Sequence, residues 1–297
     1  MEWWLYIAVA VMLDAALEYP NAVHPVVLMG KYVGVIDRAR PPMDRTAELI
    51  FGAITLISLV IIWIAVGVAV CSVSYLFLPA IIIYIYLLKA SFSIGGLMRH
   101  VKACETEDIS KLRANVAKIV GRDVNILDRS HLYSAAIESS AENLVDSVIS
   151  PLFYFVIFGL PGALAYRAIN TADAMIGYRD ARHLWFGKAT AMADYVANYV
   201  PARIFVLILL AIRGWKFKGL AQNTSGLRVN GIYPMLLFSL LIGVRLEKPS
   251  YYTINRAGRD PEARDVEEAV RLTAIISYLF IFMIIILSAT FGLPRWC

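Results

Sequence analysis

The sequence predicts an all-α, polytopic helical membrane protein with five to seven membrane segments and polar helical loops that carry the active site. Hydrophobic residues make up 59% of its 297 residues, charged residues only 17%, and the mean hydropathy is +0.64. Soluble domains average about 45–50% apolar and about 25% charged residues, so the excess apolar surface requires lipid. The net charge of +5 is scattered, which fits basic cytoplasmic loops and does not indicate nucleic-acid binding.

The first ninety residues predict three membrane helices. An apolar run from Trp3 to Leu13 begins with a pair of interfacial tryptophans and predicts a retained first helix. Residues 49–88 hold no charged side chain, and they are too many for one span because about 20 suffice to cross a bilayer. We therefore expect a helical hairpin that turns at the polar stretch Cys71–Ser74.

The middle of the chain alternates polar and apolar segments. Residues 99–146 are charged and mixed in sign, which predicts an extramembrane helical insertion within a single integral membrane domain of residues 1–297. Residues 147–166 are apolar but hold Pro151 and the cluster Gly159–Gly162, so they form either one kinked span or two half-helices that dip in and return. Later membrane candidates are 195–212, the short stretch 229–244 and 272–293, with a charged loop at 245–271.

A first polar group lies at the end of the predicted insertion. Glu138, Glu142 and Asp146 recur every four residues and so share one helix face, with Asn143 beside them. Like charges at this spacing destabilise an isolated helix, and no Lys or Arg lies among their sequence neighbours. Mg²⁺ explains the stripe, because it takes one or two carboxylates together with substrate phosphates. The alternative is a solvated acidic face that binds nothing.

A second polar group follows the interrupted apolar segment. Asn170 and Asp173 share a helix face, and Tyr178 and Arg179 follow a glycine that permits a turn. An Asp after a long apolar run is a functional candidate, because burying it without a partner is costly. The alternative is an interfacial loop whose charges face water.

A third group places Asp194 and Asn198 one turn apart, with Arg203 further into an apolar span. A guanidinium in such a span pairs with a carboxylate or with a ligand phosphate, since its fork matches both. Arg203 is therefore either a phosphate ligand or part of a structural Arg–Asp pair. Single residues of interest are His24, Arg122 and Asn230. A lone histidine such as this one is more often structural than catalytic, and the sequence holds no glycine-rich phosphate loop.

A series of short motifs keeps a recognisable order and spacing over roughly residues 10–255. These motifs are Leu13-Asp14, His24-Pro25-Val26, Gly121-Arg122-Asp123, Glu138-Ser139, Glu142-Asn143, Asp146, Tyr166-Arg167-Ala168, Asn170-Thr171, Asp173, Gly177-Tyr178-Arg179, Asp194, Asn198-Tyr199, Pro201-Ala202-Arg203, Asn230 and Tyr251-Tyr252. Together they resemble the CobD/CbiB family, the adenosylcobinamide-phosphate synthases of cobalamin biosynthesis. The chain departs from the family pattern at Tyr195, where a second Asp is usual, and at Arg228-Val229, where Ser-Pro is usual.

The resemblance implies an ATP- and Mg²⁺-dependent ligase that joins adenosylcobyric acid to an amino-alcohol phosphate, typically (R)-1-aminopropan-2-ol phosphate, as an amide. A carboxylate must be activated for this reaction, for example as an acyl phosphate, with a metal and arginines to hold the phosphates. The Mg²⁺–ATP ligands are then Glu138, Glu142, Asp146 and Asp173, with Glu142 and Asp173 catalytic. The phosphate ligands are Arg122, Arg167, Arg179 and Arg203. Further substrate contacts come from Asn143, Asn170, Tyr178, Asn198 and Asn230, and either His24 or Asp194 takes the ammonium proton.

The resemblance also predicts location and partners. ATP is cytoplasmic, so residues 121–146 and 170–194 are expected on the cytoplasmic side of the cell membrane. Residues 147–166 then re-enter rather than cross, with Gly159–Gly162 at the tip. The expected partners are the two substrates, the lipid bilayer and other late enzymes of the cobalamin pathway, with no nucleic acid.

Two other functions compete with this interpretation. An intramembrane, Mg²⁺-dependent prenyl or diphosphate transferase would use Asn170, Asp173 and Asp180 as an acidic diphosphate motif and would ignore ATP. A small-molecule transporter would use Asp194 and Arg203 as intramembrane polar sites and the interrupted 147–166 segment as a discontinuous helix. A transporter of this kind usually shows inverted repeats, and the sequence shows none.

Overall fold

The computed structural model describes residues 3–16, 23–74, 77–213 and 229–292, and these residues are almost entirely helical. The helices are α1 (Trp3–Ala16), α2 (Pro25–Ala39), α3 (Arg45–Ser74), α4 (Leu78–Ser91), α5 (Gly95–Lys102), α6 (Ile109–Val116), α7 (Arg129–Leu144), α8 (Ser150–Ile176), α9 (Lys188–Ala197), α10 (Tyr199–Arg213), α11 (Val229–Ile242) and α12 (Ala263–Phe291). A π-helical turn (Val145–Ile149) joins α7 to α8, and two short antiparallel strands, β1 (Leu246–Lys248) and β2 (Tyr252–Ile254), form a hairpin. The all-α class is confirmed.

The predicted number of membrane segments is also confirmed. Within the described residues, five helical stretches are long and apolar enough to cross a membrane: Arg45–Ser74, Leu78–Lys102, Arg129–Ile176, Lys188–Leu210 and Ala263–Phe291. Two shorter apolar helices are Trp3–Ala15 and Asn230–Ile242. On α3, the side chains of Ile50, Ile54, Ile57 and Ile61 are exposed, as expected for a helix that faces lipid.

The chain forms two compact units. Unit 1 comprises Met1–Ser93, Ser150–Tyr199 and Met283–Cys297, and within it α8 packs against α2, α3, α4 and α9. Unit 2 comprises Ile94–Ile149 and Val200–Phe282, and within it α7 packs against α5, α6, α11 and β1. The single membrane domain of residues 1–297 with an extramembrane insertion at 99–146 stays a prediction.

The predicted turn at Cys71–Ser74 is wrong. These residues belong to the last turn of α3, and α4 begins at Leu78. The hydroxyls of Ser72 and Ser74 donate to the carbonyls of Val68 and Cys71, each 2.8–2.9 Å away. Serines that bond back to their own helix in this way satisfy their polar groups without leaving it.

The chain reverses direction inside α8. Gly159 has φ 65° and ψ −160°, which is not helical, and Pro161 follows it. The rings of Tyr154 and Tyr166 stack with centroids 5.4 Å apart. In a straight helix, residues twelve apart are separated by about 18 Å, so the two halves of α8 must fold back on each other. The alternative of two half-helices that return is therefore the correct one, and Gly159 is at the tip.

The tip of this hairpin packs closely on α3. A Cβ atom on Gly67 would lie only 2.7 Å from the Cα atom of Pro161. Within the hairpin, a Cβ atom on Gly162 would lie 2.6 Å from the carbonyl oxygen of Tyr154. Both positions therefore require glycine because backbone approaches backbone there.

Candidate active site

The polar centre of unit 2 is the carboxylate of Glu138, which is only 1% exposed. Its Oε1 atom accepts a hydrogen bond from Ser134 (2.7 Å), and its Oε2 atom accepts from Arg122 (2.5 Å) and Tyr252 (2.8 Å). Ser134 is fixed in turn by the backbone N–H of Glu247, which donates to its hydroxyl at 2.7 Å. A buried carboxylate with three donors is well satisfied, so Glu138 has its oxygens engaged inside the protein.

Tyr252 reaches this centre from strand β2. Burial, together with the negative charges of Glu138 and Glu142, raises the pKa of Tyr252 well above its ordinary value. The phenol therefore keeps its proton and acts as a hydrogen-bond donor. Sequence reasoning gave Tyr252 no role, because 114 residues separate it from Glu138 and no local pattern brings the two together.

Arg122 lies in the loop before α7 and has one donor left over. Its Nη2 atom binds Glu138, whereas its Nη1 atom is buried and has no hydrogen-bond partner among the described residues. Leaving a buried N–H unpaired costs about 1–3 kcal/mol, so the position favours an acceptor that the protein itself does not provide.

Glu142 lies one turn after Glu138, but its environment is different. Its side chain has accessible surface, but its carboxyl group is surrounded by protein, with the charges of Glu138, Arg122 and Lys248 close to it. A Cβ atom on Gly231 of α11 would lie 2.9 Å from its Oε1 atom, so the carboxylate lies close to α11 at this glycine. Glu142 is thus the carboxylate of this pair whose side chain has accessible surface.

Asn230 precedes that glycine and brings Arg203 into the same unit. The Nη1 atom of Arg203 donates to the Oδ1 atom of Asn230 at 3.2 Å, and Asn230 is buried. Asn143 instead folds back on its own helix and donates to the carbonyl and hydroxyl oxygens of Ser139. Asp146 lies in the π-helical turn just before Pro151, whose missing N–H interrupts the helical bonding.

Unit 1 holds a second polar network around Asp194. Its Oδ1 atom accepts from Asn170 (3.2 Å), and its Oδ2 atom accepts from Asn198 (3.1 Å). The Oδ1 atom of Asn198 accepts in turn from Ser150 (2.6 Å) and Tyr166 (2.9 Å), one on each half of α8. The predicted residues Asn170, Asp194 and Asn198 therefore do come together, and they connect α8 to α9. Arg167 is hydrogen-bonded to Asn170 at 3.4 Å.

His24 begins helix α2. Its Nδ1 atom accepts from the backbone N–H of Val26 at 3.2 Å, so the side chain caps the helix. Burial lowers the pKa of His24, and the positive charges of Lys89 and Arg167 lower it further. A neutral ring whose Nδ1 lone pair is used by the cap carries its proton on Nε2. The structural role foreseen for a lone histidine is therefore present, and a catalytic role stays a prediction.

Asp173, Tyr178 and Arg179 lie at the end of α8 and in the loop after it. A Cβ atom on Gly177 would lie 2.7 Å from the carbonyl oxygen of Asp173, so this turn needs glycine. Tyr178 and Arg179 are both exposed, and the Tyr178 ring meets the His183 ring edge-on at 6.4 Å.

The same loop contributes to an ion cluster that the sequence did not reveal. Asp37 is within 3.3–3.4 Å of Arg40, Arg182 and His183. The other ring nitrogen of His183 is 2.9 Å from Asp180, and this hydrogen bond lowers the pKa of Asp180. More than 140 residues separate Asp37 from Arg182 and His183, so spacing gave no signal that they meet.

That Glu138, Glu142, Asp146 and Asp173 bind Mg²⁺ stays a prediction. Across residues 3–16, 23–74, 77–213 and 229–292, no three side chains of His, Cys, Asp or Glu lie together as a protein-only metal site would require. Glu138, Glu142 and Asp146 belong to unit 2, whereas Asp173 belongs to unit 1. Arg228 of the family departure lies outside the described residues.

These features define a multi-pass helical membrane protein with charged and amide side chains clustered in its interior. The chain belongs to the CobD/CbiB family, whose model, described as CobD/Cbib protein, matches residues 7–275.

Similar curated proteins span nearly the whole chain. The chain is 40% identical to a probable cobalamin biosynthesis protein CobD of Pyrococcus abyssi over 96% of both chains. It is 42% identical to the protein of the same description from Pyrococcus furiosus, covering 94% of this chain and 96% of the relative. A third, from Archaeoglobus fulgidus, is 40% identical over 89% of both chains. No solved structure matches the chain at a significant level.

Proposed function

We propose that the protein acts in cobalamin biosynthesis as an adenosylcobinamide-phosphate synthase. It joins the free carboxylate of adenosylcobyric acid to the amine of an amino-alcohol phosphate such as (R)-1-aminopropan-2-ol phosphate. ATP drives the formation of the amide, Mg²⁺ is required, and the active site faces the cytoplasm. The observation that carries the proposal is the family match over residues 7–275. This range contains every residue of the polar centre around Glu138 and of the network around Asp194.

The polar centre of unit 2, which includes Arg122, Glu138 and Glu142, suits Mg²⁺ and ATP. Mg²⁺ keeps several waters and needs only one or two carboxylates when substrate phosphates complete its shell. Glu142 provides a carboxylate on a side chain with accessible surface, with Asp146 as the second candidate. The unpaired Nη1 atom of Arg122 and the nearby Lys248 offer positive charge for phosphate oxygens. The bound ion would neutralise phosphate charge as the carboxylate is activated.

The Asp194 network of unit 1 suits the amine substrate. His24 uses its Nδ1 atom to cap α2, which leaves Asp194 as the better candidate to take the ammonium proton. Asn170 and Asn198 hold both of its oxygens and so fix its orientation. Arg167, next to Asn170, is the candidate for the phosphate of the amino alcohol.

The direct test uses the chain purified in detergent. It is incubated with adenosylcobyric acid, aminopropanol phosphate and Mg²⁺, with and without ATP, and the product is identified by mass. Adenosylcobinamide phosphate formed only with ATP supports the proposal. Corrinoid binding without product points to a different amine. The absence of both corrinoid binding and product would refute the proposal.

A further inference from the structure

Three side chains donate to Glu138: Ser134 from the same helix, Arg122 from the loop before it and Tyr252 from strand β2. Tyr252 reaches the carboxylate from the β1–β2 hairpin, and Ser134 reaches it from the preceding turn of α7. Arg122 approaches from the loop before α7. Glu138 makes these bonds within the protein, and among the described residues the buried Nη1 atom of Arg122 has no hydrogen-bond partner.

We infer that Glu138 and Tyr252 are positioning residues that aim the Nη1 atom of Arg122 at a phosphate oxygen of a substrate. Glu138 fixes one edge of the guanidinium through Nη2, and the planarity of the group then fixes the direction of Nη1. Tyr252 and Ser134 hold the carboxylate so that it cannot rotate away from Arg122. Glu138 therefore acts on Arg122, and it is not a metal ligand.

The choice of a phosphate follows from charge and burial. A buried N–H of a guanidinium gains most from an anionic acceptor, because charge-assisted hydrogen bonds are about twice as strong as neutral ones. Glu138 balances the charge of Arg122, and Lys248 adds a further positive charge near Glu142. Mg²⁺ on Glu142 would add to this positive charge. The inference rests on the proposed function in one respect: the proposed function names ATP and the amino-alcohol phosphate as the substrates whose phosphates could bind here.

The β1–β2 hairpin is the element that makes the arrangement possible. Its first strand gives the Glu247 N–H to Ser134, and its second strand gives the Tyr252 hydroxyl to Glu138. Tyr251, the preceding residue, provides a matched control. It is 78% exposed, and its ring lies under Lys248 at 4.7 Å, a contact that a phenylalanine would keep.

The experiment compares wild type, Tyr252→Phe, Glu138→Gln and Tyr251→Phe in detergent. Thermal unfolding is followed while inorganic phosphate is titrated with Mg²⁺ present, against chloride at equal ionic strength. We expect phosphate to stabilise wild type and Tyr251→Phe alike. We expect the apparent affinity for phosphate to fall about tenfold in Tyr252→Phe, which loses one hydrogen bond to a charged group, and further in Glu138→Gln. Equal phosphate affinity in all four proteins, or no stabilisation of wild type beyond that by chloride, would overturn the inference.

Steady-state kinetics separate the two phosphate sources and exclude a merely structural effect. Tyr252→Phe should raise the KM of one phosphate-bearing substrate, ATP or the amino-alcohol phosphate, and leave the KM of adenosylcobyric acid unchanged. An equal rise in the KM of all three substrates would mean general damage and would count against the inference. If wild type binds phosphate as expected but forms no product, the proposed function fails while the inference stands.

Discussion

Glu138 and Glu142 lie one turn apart on α7 but have different environments. Their four-residue spacing placed both on one helix face and made them candidate Mg²⁺ ligands, a role that stays a prediction. The sequence could not tell that Glu138 is buried with three donors while Glu142 is exposed, because Arg122 and Tyr252 arrive from other elements. The spacing alone suggested a shared Mg²⁺ site, and the structure instead separates an internally bonded carboxylate from one whose side chain has accessible surface.

Glu142→Gln is predicted to lower kcat/KM by at least about 100-fold, because a metal that stabilises phosphate charge is worth several kcal/mol. The exposed side chain makes few stabilising contacts, so the melting temperature should stay close to that of wild type. Steady-state assays with saturating Mg²⁺ check the first outcome, and thermal unfolding checks the second. Glu268→Gln on α12, at a partly exposed side chain, is the control, and its activity should be normal. Full activity of Glu142→Gln would remove Glu142 from the mechanism.

His24 is predicted to make stability depend on pH. Its pKa in the folded protein lies below the unfolded value of 6.5, so the unfolded chain binds the proton more readily. The free energy of unfolding should therefore fall as the pH drops through and below 6.5. His24→Asn keeps a capping side chain and removes the titration, so its melting temperature should fall less between neutral and mildly acidic pH. The exposed His100→Asn should behave like wild type. An identical pH dependence in all three proteins would contradict this role.

At the scale of elements, the reversal in α8 was predictable and the end of α3 was not. Gly159 and Pro161 act through their own backbones, so their effect is written in the local sequence. Ser72 and Ser74 resemble turn residues but bond back to α3, and only the surrounding helix decides between these outcomes. The β1–β2 hairpin was not foreseen because each strand has only three residues.

Gly159→Ala is predicted to destabilise the hairpin by about 1–3 kcal/mol, because its φ of 65° with ψ of −160° is accessible almost only to glycine. Gly30→Ala in α2 is the matched control. Its added Cβ atom would meet Met175 at 3.7 Å, an ordinary contact, and alanine favours a helix by about 0.5–1 kcal/mol over glycine. Thermal or denaturant unfolding of both variants measures the difference. A Gly159→Ala protein as stable as Gly30→Ala would show that the backbone at residue 159 is helical.

At the scale of the molecule, composition was enough for the class of fold. A chain with 59% hydrophobic residues must be covered by lipid, and the five long apolar stretches follow. Arg122, Glu138, Asn170, Asp194 and Asn198 were singled out because charged and amide side chains stand out in an apolar sequence. Their grouping into an Asp194 network in unit 1 and a Glu138 centre in unit 2 depends on tertiary contacts, which no spacing rule supplies.

The topology of the membrane segments gives a prediction for the whole chain. Because α8 folds back on itself, the loops at residues 121–128 and 177–187 are expected on the same side of the membrane. The proposed use of ATP predicts that this is the cytoplasmic side. Asn125→Cys and Ala181→Cys are exposed positions for testing this with a membrane-impermeant thiol reagent in intact cells and in inverted vesicles. Both should react only in inverted vesicles, after the labelling of the parental chain is subtracted. Reaction from opposite faces would mean that the segment between them crosses the membrane.

The central claim is that ATP drives the joining of a corrinoid carboxylate to an amine. The most direct measurement is the amount of ATP consumed for each adenosylcobinamide phosphate formed by the purified protein. If ATP drives the reaction, the two amounts should be equal, and no ATP should be consumed when either the corrinoid or the amine is left out. Product that forms without ATP, or ATP consumed at the same rate without the corrinoid, would contradict it.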